Sequence, residues 1–346
     1  MIIILKKYFS LVFLVVLSSA ANADAESTGV MHYVTGHFSS AAREFRRGAE
    51  KGDMVAQAKL GQMYLLGDGV SRDDARALEW IQKSALQGNH DAQYVLGFMY
   101  FNGRGVARDD GAAASWYEKA ALQNDAEAQF SLGLMYLDGR GLPPDNEQAV
   151  SWFHKAAAQG DMQAQYALGV LYSEGRGVIQ DDKTAVEFFE RSAQQGNVSA
   201  EFRLGMMHDL GRGVPQDGPV AISWYQKAAD HGDPAALYVL GTLFDDGRGV
   251  ARDEQKALRL YQQAAKCGDA NAERSLGDMY FTGRGVSTND REALSWYRRA
   301  AEQGDADAQL VVAVMYDLGL GAAQNAREAR AWYLKAEQSQ MLAGSF

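Results

Sequence analysis

Histidine is the side chain that most often performs acid–base chemistry near neutral pH or binds a metal, and this chain has six. They are His32, His37, His90, His154, His208 and His231. No two lie four residues apart on one predicted helix, and none recurs at a regular interval, so the pattern indicates no metal site. The nucleophile and zinc motifs G-x-S-x-G, S-x-x-K and H-E-x-x-H are missing as well. We therefore predict no catalytic residues, no cofactor and no enzymatic activity.

Six Gly-Arg-Gly segments are the second feature that could bind a ligand, because glycine-rich loops can cradle phosphates. Their arginines are Arg104, Arg140, Arg176, Arg212, Arg248 and Arg284. Each segment follows a predicted helix, and the C-terminal end of a helix dipole favours a cation over an anion. No Gly-Lys-Ser or Gly-Lys-Thr follows, as a phosphate-binding loop requires. We favour an arginine that compensates terminal carbonyl groups or a capping aspartate, with a phosphate site as the alternative.

The composition argues against a nucleic-acid partner and for a helical protein. The chain has 44 acidic and 34 basic residues, a net charge of −10, which repels phosphate backbones. Hydrophobic residues make up 47%, enough for a real core. Only 5 prolines accompany 36 glycines, so we expect helices that need glycine at regular positions.

The first 23 residues have the pattern of a secretory leader. Lys6 and Lys7 precede an apolar run that ends at Leu17, and an A-x-A cleavage pattern ends at Ala23. We predict a signal peptide over 1–23, cleavage after Ala23, and a periplasmic or secreted protein without an integral membrane segment after cleavage. An uncleaved anchor that also recruits the residues before Lys6 is the alternative. No cysteine follows the run, which excludes a lipoprotein anchor.

Cys267 is the only cysteine, so an intramolecular disulfide is impossible. The equivalent positions of the repeat described next are polar, and we predict that Cys267 is at least partly exposed and not needed for folding. An intermolecular disulfide remains an open alternative.

A repeat of 36 residues organises almost the whole chain. Positions related by steps of 36 form a column, named here by its residue in the first copy. The Leu60 column reads Leu60, Leu96, Leu132, Leu168, Leu204, Leu240, Leu276 and Val312. The Gly61 column keeps glycine until Ala313, and eight copies follow one another without insertion or deletion. Such regularity predicts a repeat array rather than separate globular domains.

Each copy contains two predicted helices. In the first, Ala56, Leu60, Met63 and Tyr64 form one apolar stripe, and a Gly-x-Gly-Val segment ends the helix. Asp73 and its equivalents begin the second helix as N-caps. The Trp80 column contains all six tryptophans, completed by Phe188 and Leu260: Trp80, Trp116, Trp152, Trp224, Trp296 and Trp332. We interpret this column as core, with a ligand shelf as the alternative.

These columns resemble the Sel1-like repeat family, relatives of the tetratricopeptide repeats. The segment Ala92-Gln93-Tyr94-Val95-Leu96-Gly97-Phe98-Met99-Tyr100 and the segment Trp224-Tyr225-Gln226-Lys227-Ala228-Ala229 carry the resemblance. It implies an all-α solenoid, a right-handed superhelix of about eight helix-turn-helix repeats plus an N-terminal half-repeat. We place an N-terminal segment and capping half-repeat at 24–52, the solenoid at 53–338 and a tail at 339–346. Residues 38–52 are expected to form a second helix alone.

The resemblance also implies a function. Family members act as adaptors, so the expected partners are proteins: an envelope complex, a sensor kinase or a host protein. Some cysteine-rich secreted Sel1 proteins have been described as β-lactamase-like hydrolases, which makes an envelope hydrolase the alternative. Their cysteine pairs are missing here, and we disfavour it.

The alignment with tetratricopeptide repeats further implies that the Val55, Ala58, Gln62, Leu65 and Leu66 columns line the concave groove. We call the surface of these five columns the first-helix face. Early copies place apolar residues on it and later copies acidic ones, which predicts a groove with apolar anchors followed by carboxylates that read basic residues. Packing between repeats is the alternative for the Ala58 column. The candidate partner residues are Tyr94, Phe98, Phe101, Phe130, Leu134, Leu137, Tyr166, Asp209, Asp245, Asp246 and Asp278.

Overall fold

The computed structural model describes residues 25–343, and every regular element in that range is an α-helix. The predicted signal peptide, 1–23, lies outside the described residues. The first helices of the eight repeats are α3 Met54–Leu66, α5 His90–Asn102, α7 Ala126–Asp138, α9 Met162–Glu174, α11 Val198–Leu210, α13 Pro234–Asp246, α15 Ala270–Thr282 and α17 Ala306–Leu318. The second helices are α4 Asp74–Leu86, α6 Asp110–Leu122, α8 Asn146–Ala158, α10 Asp182–Gln194, α12 Gly218–Asp230, α14 Glu254–Lys266, α16 Asp290–Glu302 and α18 Ala326–Ala343. Two further helices precede them, α1 Ala25–Val34 and α2 Phe38–Glu50.

Both helices of a repeat begin and end where the sequence predicts. Asp53 caps α3 by accepting a hydrogen bond from the Ala56 amide at 2.8 Å, and Asp73 caps α4 through the amide of Arg76 at 3.0 Å. Gly67 ends α3 with φ +82°, a left-handed conformation that favours glycine. The same devices recur along the chain and fix the length of nearly every helix at 13 residues.

The Gly61 column is where the second helix approaches the first. A Cβ added at Gly97 would lie 2.7 Å from Cδ1 of Tyr117, and one added at Gly205 would lie 2.5 Å from Cδ1 of Tyr225. The ring therefore occupies the volume of the missing side chain, and glycine at this column permits close helix packing. The Leu60 column forms the core beside it, and Leu96 and Leu204 are both 0% exposed.

The Trp80 column is core on one side and covered by a cation on the other. Trp152 and Trp332 are buried, while the remaining tryptophans are half-buried. Lys119 lies 3.7 Å from the ring centroid of Trp116 three residues earlier on the helix, and Lys155 lies 3.5 Å from that of Trp152. The chain's own cations thus cover the ring faces that a ligand shelf would have to expose.

The N-terminal half-repeat is a helix pair rather than one helix. Helix α1 packs on α2, where a Cβ at Gly29 would lie 2.8 Å from the Phe45 ring. This contact is equivalent to that of Gly97 with Tyr117, but Gly29 precedes its ring by fewer residues because the connection through Gly36 is shorter. A strict step of 36 residues therefore missed α1.

The chain forms an all-α solenoid that divides into two compact units, Met1–Ala164 and Gln165–Phe346. In each unit, the strongest contacts join the two helices of one repeat, and the next strongest join a second helix to the following first helix. When contacts are limited to neighbouring helices in this way, the free energy of unfolding is approximately a sum over the repeats and their nearest-neighbour interfaces.

Candidate protein-binding surface on the first helices

The Ala58 column contributes aromatic side chains that pack mainly inside the fold. The ring centroids of Tyr94 and Tyr117 are 5.6 Å apart, those of Phe130 and Phe153 are 5.6 Å apart, and those of Tyr166 and Phe189 are 5.8 Å apart. Each pair joins the two helices of one repeat and leaves the first ring half-buried. Packing, which was the alternative for this column, accounts for these residues, although the partner helix belongs to the same repeat.

The Gln62 and Leu65 columns contain both covered and accessible side chains. Phe98 is 8% exposed and belongs to a core cluster with Leu132, which corrects the expectation that its ring projects into the groove. Phe101 is half-buried beneath Arg140, whose guanidinium lies 3.7 Å from the ring centroid. Leu134 is 37% exposed and Leu137 is half-buried. Leu134 is therefore the most accessible of the apolar candidates.

The arginines of the Gly-Arg-Gly segments form hydrogen bonds between neighbouring repeats. The Arg104 guanidinium donates to Asp74 at 2.8 Å and to the Leu65 carbonyl at 3.0 Å, so it joins a repeat to both helices of the preceding one. This hydrogen bond lowers the pKa of Asp74 to about 2. Arg212 repeats the arrangement with Asp182 and the Ser173 carbonyl. In these two repeats the arginine donates hydrogen bonds to a carbonyl at the end of a first helix and to the aspartate after the N-cap of a second helix. These contacts match the favoured interpretation rather than a phosphate site.

Where the residue after the cap is not aspartate, the arginine pairs with the first-helix face instead. Gly218 stands at the position of Asp74 in one repeat, and Arg248 there approaches Asp209 at 3.5 Å. Glu254 stands at that position in the next repeat, and Arg284 pairs with Asp245 at 2.6 Å. The two carboxylates are therefore neutralised within the chain, and Asp245 is only 6% exposed.

The other two acidic candidates differ from each other. Asp278 accepts a hydrogen bond from the Tyr297 hydroxyl at 2.6 Å, whereas Asp246 is exposed. The expectation of four carboxylates that read basic residues is thereby corrected to one accessible carboxylate, Asp246. Asp209, Asp245 and Asp278 each interact with a residue 19 to 39 positions further along the chain. The residue types within one column do not reveal these partners.

One cluster of titratable groups joins two successive first helices in the N-terminal unit. His90 Nδ1 lies 3.1 Å from Asp125 Oδ2 and 3.4 Å from Asp91 Oδ1, and ligand atoms of all three residues lie within 4.8 Å of one another. The hydrogen bond with Asp125 raises the pKa of His90. Burial and the neighbouring carboxylates, chiefly Asp125, raise the pKa of Glu127 to about 8. One imidazole and two carboxylates could coordinate a cation here.

The sequence did not indicate this cluster, because His90 and Asp125 are 35 residues apart and belong to different columns. A search for acids one repeat away from each histidine would have found it.

Exposed apolar residues in the last two repeats were also missed. Phe281, Leu310, Val314 and Leu318 occupy columns of the first-helix face, and each is between 37% and 64% exposed. The sequence carries a clear signal for them, since continuing the same columns past Asp278 reaches all four residues.

Between residues 25 and 343, no helix combines the length and the apolar character that crossing a membrane requires.

Comparison with known proteins identifies the repeat. The model of the Sel1 repeat matches eight consecutive segments, residues 55–89, 90–125, 126–161, 163–197, 198–233, 234–269, 270–305 and 306–339. A comparison with the curated proteins finds no match.

Two solved structures are similar over most of the chain. One is c5321 of uropathogenic Escherichia coli, a protective antigen with an SLR fold, at 30% identity and a TM-score of 0.63 over 93% of this chain and 80% of that one. The other is a Sel1 repeat protein from Oxalobacter formigenes, at 33% identity and a TM-score of 0.66 over 86% of this chain and 91% of that one. Eight matched repeats and these likenesses show that the chain belongs to the Sel1 repeat family, whose members are typically protein-interaction scaffolds.

Proposed function

We propose that this protein is a non-catalytic adaptor that binds partner proteins on the first-helix face, in the periplasm or outside the cell. The observation that carries the proposal is a contrast between columns. The Leu60 and Gly61 columns hold nearly the same residues in every copy and are buried. The Gln62, Leu65 and Leu66 columns vary among apolar, polar and acidic residues from copy to copy and include accessible side chains such as Leu134 and Asp246. A uniform scaffold with a chemically varied surface suits recognition of a protein segment.

The proposal is tested by affinity capture from envelope extracts, with the chain from Asp24 onwards as bait. A first-helix variant, Leu134→Ser with Leu137→Ser and Asp246→Asn, removes accessible groups of that face. The matched control is Leu86→Ser with Leu122→Ser, which removes two leucines that are 70% and 71% exposed at the ends of second helices. The expected result is a partner recovered by the wild type and the control but not by the first-helix variant. A partner lost only with the control would overturn the proposal.

Location is tested separately. The proposed leader predicts that protein recovered from the periplasm or the medium begins at Asp24, which N-terminal sequencing measures. Recovery of a full-length chain in the membrane fraction would instead favour the uncleaved anchor.

A further inference from the structure

Helix α17 presents an apolar stripe that none of the other first helices described in the structure has. Leu310, Val314 and Leu318 are 42%, 37% and 64% exposed. They are spaced four residues apart and therefore lie along one side of the helix. Each of the other first helices in residues 54–282 exposes at most one large hydrophobic side chain.

Single exposed residues occur at equivalent positions of other repeats, since Leu134 is 37% exposed in the column of Val314 and Leu210 is 60% exposed in the column of Leu318. Helix α17 differs because it exposes three such residues together. Contiguous exposed apolar side chains of this kind mark an interaction site rather than an ordinary solvated surface.

The charge around the stripe specifies the kind of partner. Asp307 and Asp317 are exposed on α17 near its two ends, and the helix holds no lysine or arginine. The preceding first helix, α15, contributes Phe281, which is 43% exposed, on the same face. The Arg274 side chain of α15 pairs with Asp305 at 3.1 Å and also interacts with Asp307, but this one cation is outnumbered by Asp305, Asp307 and Asp317. The surface is thus apolar along its middle and acidic at both ends.

A second copy of this chain does not fit the surface. In a symmetric antiparallel contact between two α17 helices, Asp307 of one copy would lie near Asp317 of the other at both ends. Like charges placed opposite one another are unfavourable. A partner with positive charge at both ends of an apolar segment would instead be attracted.

We propose, on the basis of the protein-binding function above, that α17 is the docking site for a basic amphipathic helix of a partner protein. The stripe from Leu310 to Leu318 is about 12 Å long, from eight steps of about 1.5 Å, so about two turns of the partner helix cover it. Apolar side chains of the partner lie on Leu310, Val314 and Leu318, and lysine or arginine side chains flank them and pair with Asp307 and Asp317. Phe281 extends the apolar contact toward α15.

The probe that tests this site is a fluorescein-labelled synthetic helical peptide of three leucines at four-residue spacing, flanked by arginines. A second peptide carries glutamates in place of the arginines, and a third carries the arginines with the leucines rearranged off one face. Fluorescence anisotropy is expected to show saturable binding of the first peptide only. Leu310→Ser with Leu318→Ser should weaken that binding at least about tenfold, because buried apolar anchors dominate interface energies.

Charge and specificity are tested by two more variants. Asp307→Asn with Asp317→Asn should weaken binding several-fold and flatten its dependence on salt concentration. The control Leu86→Ser with Leu122→Ser removes exposed leucines elsewhere and should bind as the wild type does. Thermal unfolding of every variant, followed by circular dichroism, verifies the fold.

Several results would overturn the α17 site: no saturable binding, equal binding of the acidic peptide, or equal weakening by the control variant. A concentration-dependent dimer that the Leu310→Ser, Leu318→Ser variant abolishes would assign the surface to a second copy. A captured partner that depends on Leu134 or Asp246 but not on α17 would leave the adaptor function standing while this inference fails.

Discussion

The two compact units hold one structural position in chemically different ways. In the N-terminal unit, an amide pair joins the end of each second helix to the first helix of its repeat: Gln57 with Gln87 at 2.7 Å, Gln93 with Gln123 at 2.8 Å and Gln129 with Gln159 at 2.9 Å. The first glutamine of each pair is buried and also donates to a carbonyl of the preceding helix, as Gln129 does to Ala121 at 3.1 Å. These pairs are neutral and satisfy three polar groups at once.

The C-terminal unit keeps one such pair, Gln165 with Gln195 at 2.8 Å, and changes the chemistry in the repeats that follow. Glu201 pairs with His231 at 2.8 Å, Leu237 and Cys267 make no such pair possible, and Glu273 binds Gln303 at 2.7 Å. A buried carboxylate cannot donate to the carbonyl of the preceding helix. In the repeat of Glu273, Arg299 supplies the missing donor, since it binds Glu273 at 2.6 Å and the Ala265 carbonyl at 3.2 Å.

The comparison shows that the fold tolerates a neutral amide pair, an ionic cluster or, at Leu237 and Cys267, no polar bridge at this position. The local chemistry is therefore free to differ between repeats while the helices keep the same arrangement. The two units should therefore share their core energetics and differ in how they respond to polar substitutions and pH.

The largest effect is expected in the shared core. Leu96→Ala in the N-terminal unit and Leu204→Ala in the C-terminal unit each remove a side chain that is 0% exposed, and each should lower the free energy of unfolding by ~2–5 kcal/mol. Urea denaturation of both variants measures the loss. If the losses of the two variants differ by more than the smaller loss, the two units do not share a common core. A change under about 0.5 kcal/mol in either variant would mean that the column is not core.

A smaller effect is expected from the amide pair. Gln129→Leu gives the N-terminal unit the residue that Leu237 already provides in the C-terminal one, and it removes two hydrogen bonds, one to the Ala121 carbonyl and one from the Gln159 amide. The free energy of unfolding should fall by ~1–3 kcal/mol. Denaturation with Gln159→Ser as the single change and with both changes gives the coupling between the two amides. A coupling indistinguishable from zero would show that the pair contributes nothing beyond packing.

The pH dependence of the N-terminal unit is expected to depend on Glu127. Burial, together with Asp125, Asp161 and Asp91, raises the pKa of Glu127 to about 8 from 4.5. The folded state therefore holds a proton that the unfolded state releases, and stability falls as pH rises from about 4.5 to 8. The raised pKa of His90 acts in the same direction, because a histidine stabilised in its charged form loses that stabilisation as pH rises.

Glu127→Gln should raise the free energy of unfolding at pH 8 by about 1 kcal/mol or more and change it little at pH 4, since one pKa unit corresponds to ~1.4 kcal/mol. Thermal melts across this range measure the difference, with exposed Glu118→Gln as the control. A variant that follows the wild-type pH profile would remove Glu127 as its cause.

The smallest effect is expected at Cys267, which is exposed, as predicted from its column. Cys267→Ser should change the free energy of unfolding by less than about 0.5 kcal/mol, because no amide pair exists there to lose. The native thiol should react readily with a thiol reagent. A native monomer whose thiol resists the reagent would be inconsistent with an exposed side chain.

The sequence predicted the repeat architecture closely, because its causes are local and periodic. Caps such as Asp53 and Asp73 act within three residues, and Gly67 ends its helix through its own backbone conformation. The Leu60 column forms a core because every copy repeats the same spacing. Helix α1 is an exception, since the shorter connection before Phe38 removes it from the 36-residue register.

The accessible part of the first-helix face was predicted less well. Phe98 was placed in the groove and is buried, and Asp245 was taken for a free carboxylate and is held by Arg284. Both outcomes depend on residues far along the chain. Asp245 is occupied because Glu254, rather than aspartate, follows the cap of α14.

The sequence alone determined the family, the helices, their ends and the buried columns, because hydrogen-bond capping and apolar periodicity act over a few residues and repeat identically. Only the tertiary structure decided which side chains remain available to a partner. Availability depends on contacts between repeats, such as that of Arg284 with Asp245 over 39 positions.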